Sequence, residues 1–156
     1  MQKSESVKSC ATNRKAFHDY FVEERFEAGV ELFGTEVKSV RAGAVNLKDS
    51  YLVIRDGELF AKGVRISPYE KGNIFNRDPL REKKLLMHKR EILKLRALSE
   101  RDGYALIPLS LYLKRGRVKV EVGVCRGKKL YDKRESIRKA ELERENRREI
   151  KLTDRN

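Results

Sequence analysis

Apolar residues recur with a period near two over residues 17–32, 50–55, 58–66, 104–113 and 118–125, the spacing of strands with one buried face. The first run sets Phe17, Tyr20, Val22, Phe26, Val30 and Leu32 among His, Asp and Glu, and reads as one long strand bent at Gly29. Asp56-Gly57 lies between the second and third runs and predicts a hairpin, since both residues tolerate positive φ. Pro108 puts an edge or a bulge in the fourth run. Lys114-Arg115-Gly116-Arg117 is the basic turn before the fifth. Two stretches have helical spacing instead. Residues 34–43 place Val37 and Val40 on one face, with Thr35 to cap the helix and Gly43 to end it. Residues 88–101 carry Ile92, Leu95 and Leu98 about a turn apart, and Asp102-Gly103 supplies the stop. Residues 68–80, with Pro68, Asn73, Asn76 and Asp78-Pro79, read as a loop.

This pattern is mostly β. Its strands and two helices suit a small, partly open antiparallel barrel of the oligonucleotide-binding kind with helices packed beside it. A ferredoxin-like α+β sandwich is the alternative. The 156 residues divide into a flexible N-terminus over 1–12, a β-barrel domain over 13–126 and a basic C-terminal tail over 127–156.

The tail breaks the alternation. Residues 126–156 hold 12 Lys+Arg and 7 Asp+Glu, with only Leu130, Ile137, Ala140, Leu142, Ile150 and Leu152 as apolar positions. Such a segment cannot bury enough apolar area to offset the entropy of ordering it. It is expected to be disordered when free and helical on a polyanionic partner. Glu135 with Lys139 and Glu143 with Arg147 favour a helix, whereas Glu145 with Glu149 and Arg134 with Arg138 oppose it. The apolar residues keep no heptad, which argues against a coiled-coil arm.

Charge then narrows the partner. The whole chain has 37 Lys+Arg against 24 Asp+Glu, an excess of 13, so residues 1–125 keep +8 once the +5 of the tail is removed. A basic body and a basic tail point to nucleic acid ahead of an anionic membrane surface. No apolar run is long enough to span a bilayer, and the charged start lacks the apolar core of a signal peptide. Cys10 and Cys125 stand far apart, outside any metal-ligand pattern, and read as free thiols in a reducing cytoplasm. His18 and His88 are the only histidines, Glu23, Glu24 and Glu27 suit a solvated strand, and Gly127-Lys128-Lys129 lacks the glycine and hydroxyl of a phosphate loop. No enzyme, metal or cofactor is expected from this set. Tyr20, Tyr51, Tyr69 and Tyr112 suit a barrel core with hydroxyls at its rim, whereas Tyr131, between tail lysines, suits an RNA contact.

The spaced motifs Phe17-x-x-Tyr20, Phe26-Glu27-Ala28-Gly29, Gly34-Thr35-Glu36-Val37-Lys38-Ser39, Arg41-Ala42-Gly43, Asp49-Ser50-Tyr51, Lys84-Leu85-Leu86 and Gly127-Lys128-Lys129-x-Tyr131-Asp132-Lys133-Arg134 fall in one order. From about Asn13 onward they resemble the SmpB family, the SsrA-binding proteins of bacteria. The resemblance implies an oligonucleotide-binding-type barrel that is not an enzyme and needs no cofactor. It implies binding to the tRNA-like end of transfer-messenger RNA and a part in trans-translation, which rescues stalled ribosomes and tags the unfinished protein. It further implies RNA contacts for Glu27, Glu36, Lys38, Arg41, Leu86, His88, Lys128 and Lys129, with Asn46, Ser50 and Tyr51 suited to RNA or to loop structure. Tyr131, Asp132, Lys133 and Arg134 are expected near the decoding centre of the small ribosomal subunit. Arg138, Lys139, Arg144, Arg147 and Arg148 are expected as phosphate partners in the empty mRNA channel. The free protein is expected to be a cytoplasmic monomer without a membrane partner. A permanent ribosomal-RNA-binding or ribosome-assembly protein is the rival reading; an RNA-processing nuclease is a third.

Overall fold

β2 (Tyr20–Val30) and β9 (Arg117–Gly127) pair antiparallel over nearly their whole length, from Tyr20 opposite Gly127 to Gly29 opposite Lys119. The structure, a computed structural model, describes residues 7–69 and 76–154, without the side chains of 130–135 and 148–154. Around this pair lie β1 (Val7–Thr12), β8 (Ala105–Lys114), β7 (Lys83–Leu86), β5 (Glu58–Lys62) and β4 (Tyr51–Arg55). They form one antiparallel sheet in the order β1-β8-β9-β2-β7-β5-β4. The sheet curls until β4 comes back beside β8, which makes a partly open barrel rather than a flat α+β sandwich. A separate pair, β3 (Val45–Asn46) with β6 (Arg65–Ile66), flanks it.

The barrel interior holds Ala28, Leu59, Leu85, Leu111, Val120, Val122 and Val124, all nearly inaccessible. Two helices supply the remaining walls. α2 (Gly34–Arg41) inserts Val40, and α3 (Lys89–Glu100) inserts Ile92 and Leu95. Each fully buried side chain of this kind contributes about 1.5–3 kcal/mol relative to exposure. A smaller cluster forms on the outside of the sheet. There α1 (Arg14–Asp19) lays Ala16 and Phe17 over Ile107, Leu109 and Cys125.

Two irregularities let the same strands serve both clusters. The register shifts between Val22 and Glu24 and between Pro108 and Ser110. An extra residue in a strand reverses its alternation. Tyr20 and Val22 therefore face α1 before the first shift, whereas Phe26, Ala28 and Val30 face the barrel after it. Likewise Ile107 and Leu109 face α1, and Leu111 and Leu113 face the barrel. Gly123 completes the outer cluster, because a Cβ there would lie 2.6 Å from Leu109 Cδ1.

The hairpin at Asp56-Gly57 forms as its sequence requires, with φ of 54° and 74°. The helices over 34–43 and 88–101 and the bulge at Pro108 also match their sequence signals. Four expectations change. Residues 17–19 belong to α1, not to the strand, because the buried Asn13 side chain accepts from Ala16 N–H at 3.1 Å and starts a helix. Residues 7–12, expected to be flexible, pair with β8 as β1. Thr35 is not the cap of α2. Phe33 holds that position, and its N–H donates to Glu36 Oε1 at 2.9 Å. The run 58–66 is broken at Gly63, whose φ of 76° ends β5 before β6 begins. In the tail, α4 (Lys128–Asp154) follows β9 without a loop. Its described side chains from Ser136 to Arg147 are all exposed, so packing on the barrel does not hold that helix.

Lys83 is the largest fully buried side chain. Its Nζ donates to Val64 O at 2.6 Å and Pro79 O at 3.1 Å, tying two loops together. Burial depresses its pKa from 10.5 to about 8, against the partial opposition of Glu36. Between these values the unfolded chain holds the proton and the folded chain releases it, so this group makes stability rise with pH from about 8 to 10.5. Urea unfolding across that range is expected to show the rise in the parent and to lose it in Lys83→Met. Parallel pH curves for the two proteins would overturn the assignment.

Candidate nucleic-acid interface

Antiparallel partners that lie opposite each other project from the same face of a sheet. Gly29 of β2 lies opposite Leu86 of β7 on one side and Lys119 of β9 on the other. Lys119 in turn lies opposite Tyr112 of β8. The neighbours Ala28, Leu85, Val118, Val120 and Leu111 are buried inside the barrel, so this row faces outward. Gly29 leaves a gap in the middle of it. Leu86, 48% exposed, borders the gap, and His88 stands exposed at the N-cap of α3 two residues further on. Three residues distant in sequence, Glu27, Leu86 and His88, are thus brought to one outer surface.

Glu27 does not stand alone there. Tyr112 Oη donates to its Oε2 at 2.5 Å, and Lys114 Nζ lies 3.3 Å from the same oxygen. The Tyr112 hydroxyl, followed by Lys114, holds the Glu27 carboxyl below its ordinary pKa despite some desolvation. Burial and the Glu27 charge push the Tyr112 phenol up. The pair therefore stays as a carboxylate and a neutral phenol across the physiological range. Farther along the face, Arg25 Nη1 meets Glu121 Oε1 at 2.9 Å, and Ser110 donates to Glu121 Oε2 at 2.9 Å.

The residues of α2 divide. Glu36 is turned inward and 5% exposed, with Arg81 Nη2 at 2.6 Å from Oε1 and Arg81 Nε at 3.3 Å from Oε2. A surface contact for Glu36 is therefore excluded by its burial. It holds Arg81 and the first turn of α2. With Glu36 buried and Arg81 partly exposed, losing one partner costs more than the about 0.2–1 kcal/mol of an exposed pair. Lys38 Nζ lies 5.4 Å from the ring centroid of Tyr69. Arg41 is exposed and reaches Gly116 O at 3.4 Å, which links α2 to the turn between β8 and β9.

Asn46 and Ser50 shape the loop before β4. Asn46 Oδ1 accepts from Lys48 N–H at 2.8 Å, and the buried Ser50 hydroxyl donates to Leu47 O at 2.5 Å. Tyr51 follows, half exposed, at the mouth of a cleft of about 470 Å³ that Lys15, Asp19, Asp49 and Tyr104 also line. Lys15 Nζ bridges to Asp49 at 2.5 Å across this cleft.

Lys128 anchors the root of the tail. Its Nζ donates to Phe17 O at 3.2 Å, at the C-terminal end of α1, and lies 5.3 Å from the Phe21 ring centroid. Lys129 is exposed beside it, as are Arg138, Lys139, Arg144 and Arg147 along α4. The side chains of Tyr131, Asp132, Lys133, Arg134 and Arg148 lie outside the described residues. The tail leaves the end of β9 opposite the β8–β9 turn. Eleven residues at strand spacing set those ends about 33 Å apart. The Lys119 end of the charged outer face and the tail root therefore lie at opposite ends of β9.

Sequence reasoning missed Tyr112, Lys114 and Lys119, and the signal for them was present. Arg117-Val118-Lys119-Val120-Glu121 alternates strictly, so its charged members share a face. Which other strand lies under them was not visible. Among the described residues no three His, Cys, Asp or Glu side chains group as a metal site requires.

Comparison with known proteins bears on this surface. The family model for SmpB protein matches residues 10–152. An SsrA-binding protein of Clostridium tetani (strain Massachusetts / E88) is 60% identical over 151 residues, covering 97% of each chain. Another, of Caldicellulosiruptor bescii, is 59% identical over 149 residues, covering 96% of this chain and 94% of its own. A solved structure described as "tmRNA-SmpB: a journey to the center of the bacterial ribosome" is 48% identical, with a TM-score of 0.65. That likeness covers 76% of this chain and 83% of the other.

The Glu27–Tyr112 bond is open to direct measurement. Tyr112→Phe removes the donor that favours the ionised carboxyl. The Glu27 titration, followed by carboxyl NMR, is expected to move to higher pH in that variant. A titration that stays in place would show that Lys114 alone sets it.

Proposed function

The chain belongs to the SmpB family, and from that premise we propose that it binds the tRNA-like end of transfer-messenger RNA and brings it to stalled ribosomes for trans-translation. The observation that carries the reading is the gathering of Glu27, Leu86 and His88 on one outer surface, with Lys119 beside them and the tail leaving from the far end of β9. In this reading Lys119 and Arg41 meet phosphates. Leu86 and His88 pack against an unstacked base, and Glu27 accepts from a 2′-OH or a base amino group. Lys38 supports the same RNA from α2. Asn46 and Ser50 act through the loop that presents Tyr51, and Glu36 acts through Arg81.

The tail takes the second partner. Lys128 and Lys129 lie where the RNA-holding body meets it. Tyr131, Asp132, Lys133 and Arg134 then contact the decoding centre of the small subunit. Arg138, Lys139, Arg144, Arg147 and Arg148 meet phosphates in the mRNA channel. At about 1.5 Å per residue, the 27 residues of α4 span about 40 Å. A message already in the channel would exclude a helix of that length, so the tail responds to vacancy. The exposed helix gains stability from ribosomal phosphates rather than from its own barrel, which makes engagement conditional. The free protein is a cytoplasmic monomer and performs no covalent chemistry. Among the described residues no helix is long and apolar enough to cross a membrane.

Truncation after Lys133 is expected to leave affinity for transfer-messenger RNA nearly unchanged and to abolish tagging on ribosomes stalled without a stop codon. Loss of RNA binding in that variant would refute the proposed division between body and tail. The log of the binding constant is also expected to fall linearly with log salt, with a slope that counts phosphate contacts. A flat slope would mean that the basic charge is incidental to binding.

A further inference from the structure

The turn between β8 and β9 carries more charge than the outer face just described. Lys114 and Arg117 lie opposite each other at the strand ends, and Arg115 and Gly116 form the turn between them. Arg115 has a φ of 54°, so its side chain leaves a left-handed backbone. Together with Lys119 and Glu27 these side chains line a concavity of about 420 Å³ in which every lining residue is charged. Four cations and one carboxylate give it +3. The carboxylate is Glu27, already shared by Tyr112 and Lys114. Arg41 adds a fifth cation at the rim through its contact with Gly116 O.

We infer that this turn is a second phosphate-binding site, one that grips the sugar–phosphate backbone of the same RNA beyond the segment held at Leu86, His88 and Glu27. The inference rests on the RNA-binding reading above. Three observations favour a nucleic-acid backbone over a lone anion or an acidic protein. Lys119 belongs to both surfaces, so one continuous strand of phosphates can cross from the row at Gly29 to the turn. The concavity has no apolar lining residue for a protein side chain to fill. Arg115 and Arg117 are exposed and present guanidinium forks, which match two phosphate oxygens at once. Glu27 keeps Lys114 aimed along the wall instead of into solvent.

The test compares the full chain with the double variant Arg115→Asn, Arg117→Gln. Asn tolerates the left-handed φ at 115, so the turn keeps its shape while two charges go. Affinity for transfer-messenger RNA is measured from about 0.05 to 0.2 M salt, with circular dichroism as the control for folding. The expected result is a loss of about tenfold or more in affinity and a log–log slope shallower by about 1.4–1.8, two phosphate contacts' worth. A folded variant with an unmoved slope and affinity would overturn the inference while leaving the broader reading in place. A parent protein that binds transfer-messenger RNA no better than an unrelated RNA of equal length would overturn both. Inorganic phosphate, added at constant ionic strength, is expected to leave the RNA bound. Phosphate binding at the turn of the parent, read by NMR, together with an unchanged RNA affinity in the variant would assign the turn to a free anion instead.

Discussion

The ladder between β2 and β9 is the constraint on which the molecule depends. It fixes which side chains of two eleven-residue strands share a face, and it does so through backbone hydrogen bonds that are indifferent to side-chain identity. Its inner face supplies Ala28, Val120, Val122 and Val124 to the barrel core. Its outer face carries Glu27 and Lys119 at one end and the α1 contact at the other. The single register shift at Val22 makes this possible, because one face of β2 cannot otherwise serve α1 at its start and the barrel at its end. The tail continues directly from the last residue of the same ladder.

Buried polar groups position the elements around that ladder. Asn13 uses both ends of its amide. Its oxygen caps α1, and its nitrogen donates to Leu47 O at 3.2 Å and Pro108 O at 3.0 Å. One side chain therefore ties the entrance of α1 to the bulge of β8 and to the loop that leads to Tyr51. Glu36 with Arg81, and Lys83 with two carbonyls, do the same for α2 and the loops at 64 and 79. Leaving any of these groups unpaired in the interior costs about 1–3 kcal/mol or more. They read in sequence as charged or polar surface residues and are spent on architecture.

Particular residues show where sequence reading succeeds. The alternation of Val118, Val120, Val122 and Val124, the Asp56-Gly57 turn and the helical stripe at Ile92 and Leu95 are local patterns, and each determines its own element. Phe17 shows where it fails. Its alternation with later residues matched a strand, but a cap seated by contacts 34 and 95 residues away made it helical. β1 was missed for a related reason. Its six residues are mostly exposed and signal little alone, so their order comes from an edge that β8 offers.

By itself the sequence determined the basic balance of body and tail, the identity of most strands and helices, and the motif order that marks the family. Those properties are set by composition and by neighbours within a few residues. Only the tertiary structure decided that Glu36 points inward and that Tyr112 and Lys114 surround Glu27. Each of those facts depends on strand order and register across separations of 45 to 87 residues. No local periodicity encodes which strand becomes the neighbour of which, because that choice is made by burying all the apolar faces at once.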